Sequence, residues 1–328
     1  MAYANLVGQA VSTMGEAFQR MRDFICKRSG TYDYSTSGIG WTLHDAVYAV
    51  NENTLTAGDY FIVYSPGENG LEDMYFKFTY TSATIISFAG YLYWDNVAHT
   101  GTQTYTGANV FSGTPTVLYV YGSKNNIMIW QTISSTQTFG FIGKYDISYY
   151  DETITTCATN ISSGSNVVIP VASVPPSWSV GKYIFIRDRT NIQRTQITVI
   201  DGNNVTVNTL ATGFTASQGI KISRRVTYFI STTNPLSNGF PSLINAAGAK
   251  ATANLLHTTL IAPTFTNKDS MDTTSIGAIP FMAFYEGEFS NFLLPTRTTS
   301  LLVYVLNGVN YRNFLLAGTS THFLCREV

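Results

Sequence analysis

The chain has 328 residues, enough for a full hydrophobic core and, by length, for two domains of ordinary size. Only 12% of the residues are charged while 14% are aromatic, including 21 Tyr and 20 Phe, so the surface must be dominated by Thr, Ser, Asn and Tyr. The formal net charge is −1, from 19 basic and 20 acidic residues with no long run of either sign, which argues against generic nucleic-acid binding by phosphate neutralisation.

A polar, weakly charged surface hydrogen-bonds water but carries little repulsion between copies, and so suits a chain that buries much of itself against neighbours. The three cysteines, Cys26, Cys157 and Cys325, are far apart and form no Cys-x-x-Cys pair, which implies neither a disulfide framework nor a zinc site. The start, Met1-Ala2-Tyr3-Ala4-Asn5-Leu6, lacks a basic, apolar leader, and no apolar run approaches the roughly 20 residues that span a bilayer. These features predict a protein made in a cytoplasm that stays soluble until it assembles.

Val7, Val11, Met14, Phe18, Met21 and Ile25 recur at spacings of four and three, predicting an amphipathic helix from about Leu6 to Lys27, stopped by Gly30. Lys27 and Arg28 fall in its last turn, where they complement the carbonyl end of the dipole. After Trp41 the pattern turns to strands. Tyr60–Tyr64 is closed by the turn residues Ser65–Gly70, and Met74–Tyr80 and Thr84–Trp94 follow. Val117–Tyr121 and Ile127–Trp130 read as a hairpin with a five-residue loop.

Between residues 159 and 225 aromatics thin out and five short strands come at close spacing: Asn166–Val171, Lys182–Arg187, Arg194–Ile200, Asn204–Asn208 and Gly219–Ser223, with a turn at Asp201-Gly202-Asn203. This texture predicts a small β-barrel inserted into a larger domain formed by 1–158 and 226–328. Aromatic strands resume at Val226–Ile230. The long polar stretch from Asn234 to Thr274 reads as an extended arm or surface loop. Leu301–Leu306 and Val309–Phe314 flank Asn307-Gly308, a dipeptide that tolerates the positive φ angles of a type I′ hairpin turn. The fold class expected is mainly β, sandwich-like, with an N-terminal helix and an inserted barrel.

Residues able to carry chemistry are sparse. His44, His99, His257 and His322 show no metal-ligand spacing, and His44-Asp45, without a Gly-x-Ser-x-Gly elbow, reads as surface polarity. Three carboxylate pairs, Glu72 with Asp73, Asp151 with Glu152 and Glu286 with Glu288, have the residue type that glycan cleavage needs, although Glu286-Gly287-Glu288 reads as a turn. Phosphate-cradling glycine motifs do not occur. Tyr91, Tyr93 and Trp94 are candidates for stacking on sugar rings or for an interface, against the simpler reading of rings alternating through a packed sheet. No enzyme activity, cofactor or metal is expected.

Several segments resemble a family of tailed-bacteriophage virion proteins encoded among tail and baseplate genes. The opening Met1-Ala2-Tyr3, a helix and then Gly40-Trp41-Thr42 are similar to the family's start. Leu118–Trp130 followed by Phe139-Gly140-Phe141-Ile142-Gly143-Lys144-Tyr145 is similar to its strand, polar turn, strand and Gly-Phe-Ile segment, and Leu301–Leu324 to its ending. The resemblance implies a structural component of tail, baseplate or neck, located in the virion. Its implied partners are copies of itself and neighbouring particle proteins; a host-surface glycan is the alternative partner.

Overall fold

The computed structural model describes residues 4–133, 136–144, 154–223, 228–231, 255–261, 276–285, 303–306, 309–315 and 322–327. The chain opens with strand β1 (Ala4–Ala10) and helix α1 (Met14–Ile25), then β2 (Thr42–Val47), β3 (Tyr60–Ser65), β4 (Met74–Ser82), β5 (Ile85–Asp95) and β6 (Thr100–Ser112). Next come β7 (Val117–Gly122), β8 (Asn126–Ile133) and β9 (Thr136–Lys144), followed by β10 (Thr155–Cys157), β11 (Gly164–Pro170), β12 (Tyr183–Arg187), β13 (Ile192–Asp201), β14 (Asn204–Leu210) and β15 (Ile220–Ser223). The last strands are β16 (Tyr228–Ser231), β17 (Leu255–Ile261), β18 (Ile276–Tyr285), β19 (Val303–Leu306), β20 (Val309–Leu315) and β21 (His322–Glu327). The fold is mainly β with one N-terminal α-helix among the described residues, and the described strand pairings are antiparallel.

The helix is shorter than its periodicity predicts, because Leu6 and Val7 lie in β1, which pairs with β7. Gly8 sits there at φ +61°, and the register shifts between Leu6 and Gln9, so the segment is a bulged strand. The helix starts where a cap exists. Thr13 Oγ1 accepts from Glu16 N at 3.0 Å, capping the first turn, and the Glu16 carboxylate accepts from Ser12 N at 2.9 Å, one residue before the cap. The helix also stops before Gly30: Ile39 N donates to Phe24 O, and Gly40 N and Trp41 N donate to Ile25 O. The returning chain thus satisfies the last carbonyls. Gly38 makes this approach possible, since a Cβ there would collide with Phe24 O. Lys27 and Arg28 lie beyond the helix, and Arg22 is the basic residue of its last turn.

One core joins α1 to two sheets. Met14, Phe18, Met21 and Phe24 of the helix meet Phe61, Phe76, Phe78 and Phe88 of the sheet ordered β2-β3-β4-β5-β6, and Leu118, Val120, Ile127 and Ile129 of the sheet ordered β1-β7-β8-β9-β16. Each fully buried Phe or Leu contributes about 1.5–3 kcal/mol by leaving water. Trp41 pins the loop after the helix to the β7–β8 turn, its Nε1 donating to Ser123 O at 2.7 Å. That turn is Ser123-Lys124-Asn125, tighter than the five residues expected, because Asn126 and Gly122 already belong to strands.

The five short strands of the middle region all occur, and β10 joins them ahead of position 159, giving a sheet ordered β10-β15-β12-β13-β14-β11. The sheet curls until its ends approach: Ala172 N, just past β11, donates to Thr156 O of β10 at 2.8 Å. Inside lie Ile169, Trp178, Ile184, Ile186, Ile197, Val205, Val207 and Ile222. After this unit the chain returns to the first sheet, where β16 pairs with β9.

The stretch expected to be an arm contains β17, which pairs with β18; the rest of 234–274 lies outside the described residues. The late hairpin has the two-residue register expected, Leu306 pairing with Val309, with Asn307-Gly308 outside the description. Among the described residues no helix is long and apolar enough to cross a membrane.

Candidate functional site

In β3 and β4 the sequence alternates Tyr60-Phe61-Ile62-Val63-Tyr64 and Tyr75-Phe76-Lys77-Phe78, and a strand sends alternate side chains to opposite faces. The Phe and Val set enters the helix-backed core. Tyr60, Ile62, Tyr64, Tyr75 and Lys77 occupy the other face, where Tyr91, Tyr93 and Trp94 of β5 join them. The β5–β6 register shifts between Tyr91 and Tyr93, and Trp94 packs edge-on against Tyr91 at 4.7 Å and Tyr60 at 5.8 Å.

Asp45 holds this face together. Its Oδ2 accepts from Trp94 Nε1 at 2.7 Å and from the Tyr60 hydroxyl at 3.4 Å, and lies 2.9 Å from His99 Nδ1. Asp45 is only 8% exposed, so the His44-Asp45 pair is not surface polarity: Asp45 is the acceptor that lets an indole and a phenol be buried. His44 packs edge-on against Tyr75 at 5.1 Å, its Nε2 3.1 Å from Trp94 O. Lys77 Nζ lies 3.7 Å from the Tyr60 ring centre and 5.2 Å from that of Trp94. Burial pulls the Lys77 pKa down, against the opposing pull of Asp45. Burial and then the Asp45 charge push the Tyr60 phenol up to about 12, while Tyr64, Tyr75 and Tyr91 are raised chiefly by burial.

Where this face meets the six-stranded unit, a cleft of about 220 Å³ opens, lined by Tyr64, Asp73, Tyr75 and Tyr93 on one side and by Arg189, Gln218 and Lys221 on the other. Ion pairs and a cation–ring contact between described residues cross the junction. Arg187 Nη2 reaches Glu72 Oε2 at 3.5 Å with both residues buried, Lys221 Nζ donates to Asp73 Oδ2, and the Arg189 guanidinium lies 4.6 Å from the Tyr93 ring centre. Burial works against the charge on Arg187, and Glu72 and Asp73 counter it.

Of the residues singled out in the sequence, Trp94 is 3% exposed with its indole N–H committed to Asp45, so it is not open for sugar stacking. It belongs to the packed layer because a buried carboxylate satisfies its polar edge. Tyr91 and Tyr93 are half-buried, and Tyr93 reaches the cleft. Glu72 and Asp73 each face a cation of the six-stranded unit and so do not form a mutually facing acid pair. Asp151, Glu152, Glu286 and Glu288 lie outside the described residues. Cys26 and Cys157 are free thiols, and among the described residues no group of three or more His, Cys, Asp or Glu is placed to hold a metal ion. Sequence reading took Asp45 for surface polarity and missed Lys77 and Arg189; only the Tyr–Phe alternation hinted that a second aromatic face would need polar partners. No protein-family model matches the chain, and no curated protein matches it.

Proposed function

We propose that this chain is a non-catalytic structural component of a tailed-phage virion, in tail, baseplate or neck, assembling as a symmetric homo-oligomer. The observation that carries the assembly is the edge formed by β6. This strand runs for 13 residues, ends its sheet, and contains neither proline nor any charged residue, two of the devices that keep an edge strand from pairing with another chain, although its pairing with β5 is interrupted by register shifts. A 12% charged composition leaves little repulsion between copies, and the resemblance of the Leu118–Tyr145 region and of both ends to virion proteins supports the location. The two sheets backed by α1 act in this reading as a sandwich-like main domain carrying residues 159–225 as an inserted small barrel. The adjacency of β9 and β16 on either side of that unit supports the insertion.

Mass spectrometry of purified virions and sedimentation of the isolated chain test the proposal. The expected results are the chain in the particle and a discrete multimer, dispersed by Asn109→Lys and Thr102→Lys on β6. A chain that is absent from virions and monomeric at high concentration overturns it.

A further inference from the structure

We infer that the cleft between the tyrosine face and the six-stranded unit binds a neutral saccharide through a single ring. Its volume of about 220 Å³ falls below the roughly 300–1,000 Å³ of pockets for drug-sized ligands, so the cleft admits one ring with its substituents. Tyr64 and Tyr75 lie tilted by 33° with ring centres 4.7 Å apart, and Tyr93 stands edge-on to Tyr75 at 5.8 Å and 75°, so the aromatic wall is stepped and offers mainly the half-buried Tyr64 and Tyr93 rings. Such a wall matches the C–H face of a sugar, whose hydroxyl edge needs donors and acceptors opposite.

The polar residues that line the cleft with the rings are already held in place. Asp73 is fixed by Lys221, Arg189 by the Tyr93 ring, and Gln218 by Thr190, whose hydroxyl donates to Gln218 Oε1 at 2.7 Å. Groups ordered before the ligand arrives lower the entropy lost on binding. The charges decide the class of ligand. Arg187 is matched by Glu72 and Lys221 by Asp73, Asp188 adds a further negative charge to the lining, and Arg189 lies on the Tyr93 ring, which leaves no cluster of uncommitted cations for phosphate, sulfate or an acidic sugar. The site differs from the stacking surface suggested by the sequence, since it uses Tyr93 with Tyr64 and Tyr75 and does not use Trp94. It does not depend on where the chain resides.

The test is saturation-transfer NMR and calorimetry on the full chain with D-glucose, D-galactose, N-acetyl-D-glucosamine and L-rhamnose, with inorganic phosphate as the anionic probe. At least one sugar is expected to bind saturably in the millimolar range and more tightly than phosphate. Tyr93→Ala and Arg189→Ala should each weaken it about tenfold, and Val168→Ser, which lies outside the cleft lining, should leave it unchanged. Arg189 is exposed, so its variant tests the site even if Tyr93→Ala fails to fold. Absence of saturable binding by the whole set, tighter binding of phosphate, or an unaltered affinity in Arg189→Ala overturns the inference. A chain found in virions that binds no sugar refutes this site alone, whereas a sugar-binding chain absent from virions refutes the particle role alone.

Discussion

The two faces of the β2–β6 sheet are built from the same strands yet solve different problems. On the inner face Phe61 stacks on Phe78 at 4.6 Å, Phe78 meets Phe88 at 4.3 Å and Phe18 of the helix closes on Phe61 at 4.8 Å, rings that themselves carry no polar atom. The outer face uses rings with hydroxyl or indole heads, and therefore requires Asp45, His99 and Lys77 to lie among them. A dry layer gains stability from contact alone. A layer of Tyr and Trp gains similar contact, but it stays intact only while each head keeps its partner.

Substitutions can separate the two faces. The largest effect is expected from Phe78→Ala, which removes a ring with no exposure from the inner layer and should cost about 3–5 kcal/mol in urea denaturation. On the junction side, Glu72→Gln withdraws the charge opposite buried Arg187 while keeping the side chain's size. A loss of about 1.5–3 kcal/mol is expected, and an unchanged midpoint would show that the ion pair does not hold the six-stranded unit to the sheet. Asp45→Ala should cost about 1–3 kcal/mol by orphaning the Trp94 N–H, with a change in tryptophan fluorescence that Phe78→Tyr does not reproduce.

The outer face should also give the protein an alkaline limit. Tyr60 holds its proton to about pH 12 when folded, whereas an unfolded tyrosine releases it near 10, so the unfolded state binds fewer protons between those values. Stability contributed by the neutral phenol is therefore full below about pH 10 and is lost as pH rises towards 12. Tyr60→Phe should make the alkaline fall in denaturation midpoint shallower, while the other raised tyrosines keep part of it. The smallest effect is expected at Val97, 86% exposed, where Ser should change stability by less than about 0.5 kcal/mol.

Much of the strand pattern was legible because alternation is a local property. Tyr60–Tyr64, Met74–Tyr80 and the five short strands of the middle region are all strands, with ends displaced by a few positions. The first helix was overextended for a reason that is equally physical. Val7 and Val11 fit its apolar spacing, but β1 has an open partner in β7, and Thr13 and Glu16 cap the helix after it. Periodicity reports which side chains seek burial and cannot tell whether a strand partner or a helical turn supplies the backbone hydrogen bonds. For a related reason the sequence left Trp94 open between a packed ring and an accessible one: the carboxylate that takes its indole N–H lies 49 positions away.

By itself the sequence determined that the chain is mainly β, aromatic-rich and weakly charged, with a change of texture between 159 and 225, because composition and period-two patterning are set residue by residue. Only the tertiary structure decided that Asp45 would organise the outer aromatic face, that Glu72 and Asp73 would each meet a cation of the six-stranded unit, and that Tyr64, Tyr75 and Tyr93 would wall a cleft. Those outcomes depend on contacts between residues far apart in the chain, as with Glu72 and Arg187, 115 positions apart, and no local pattern encodes such pairings.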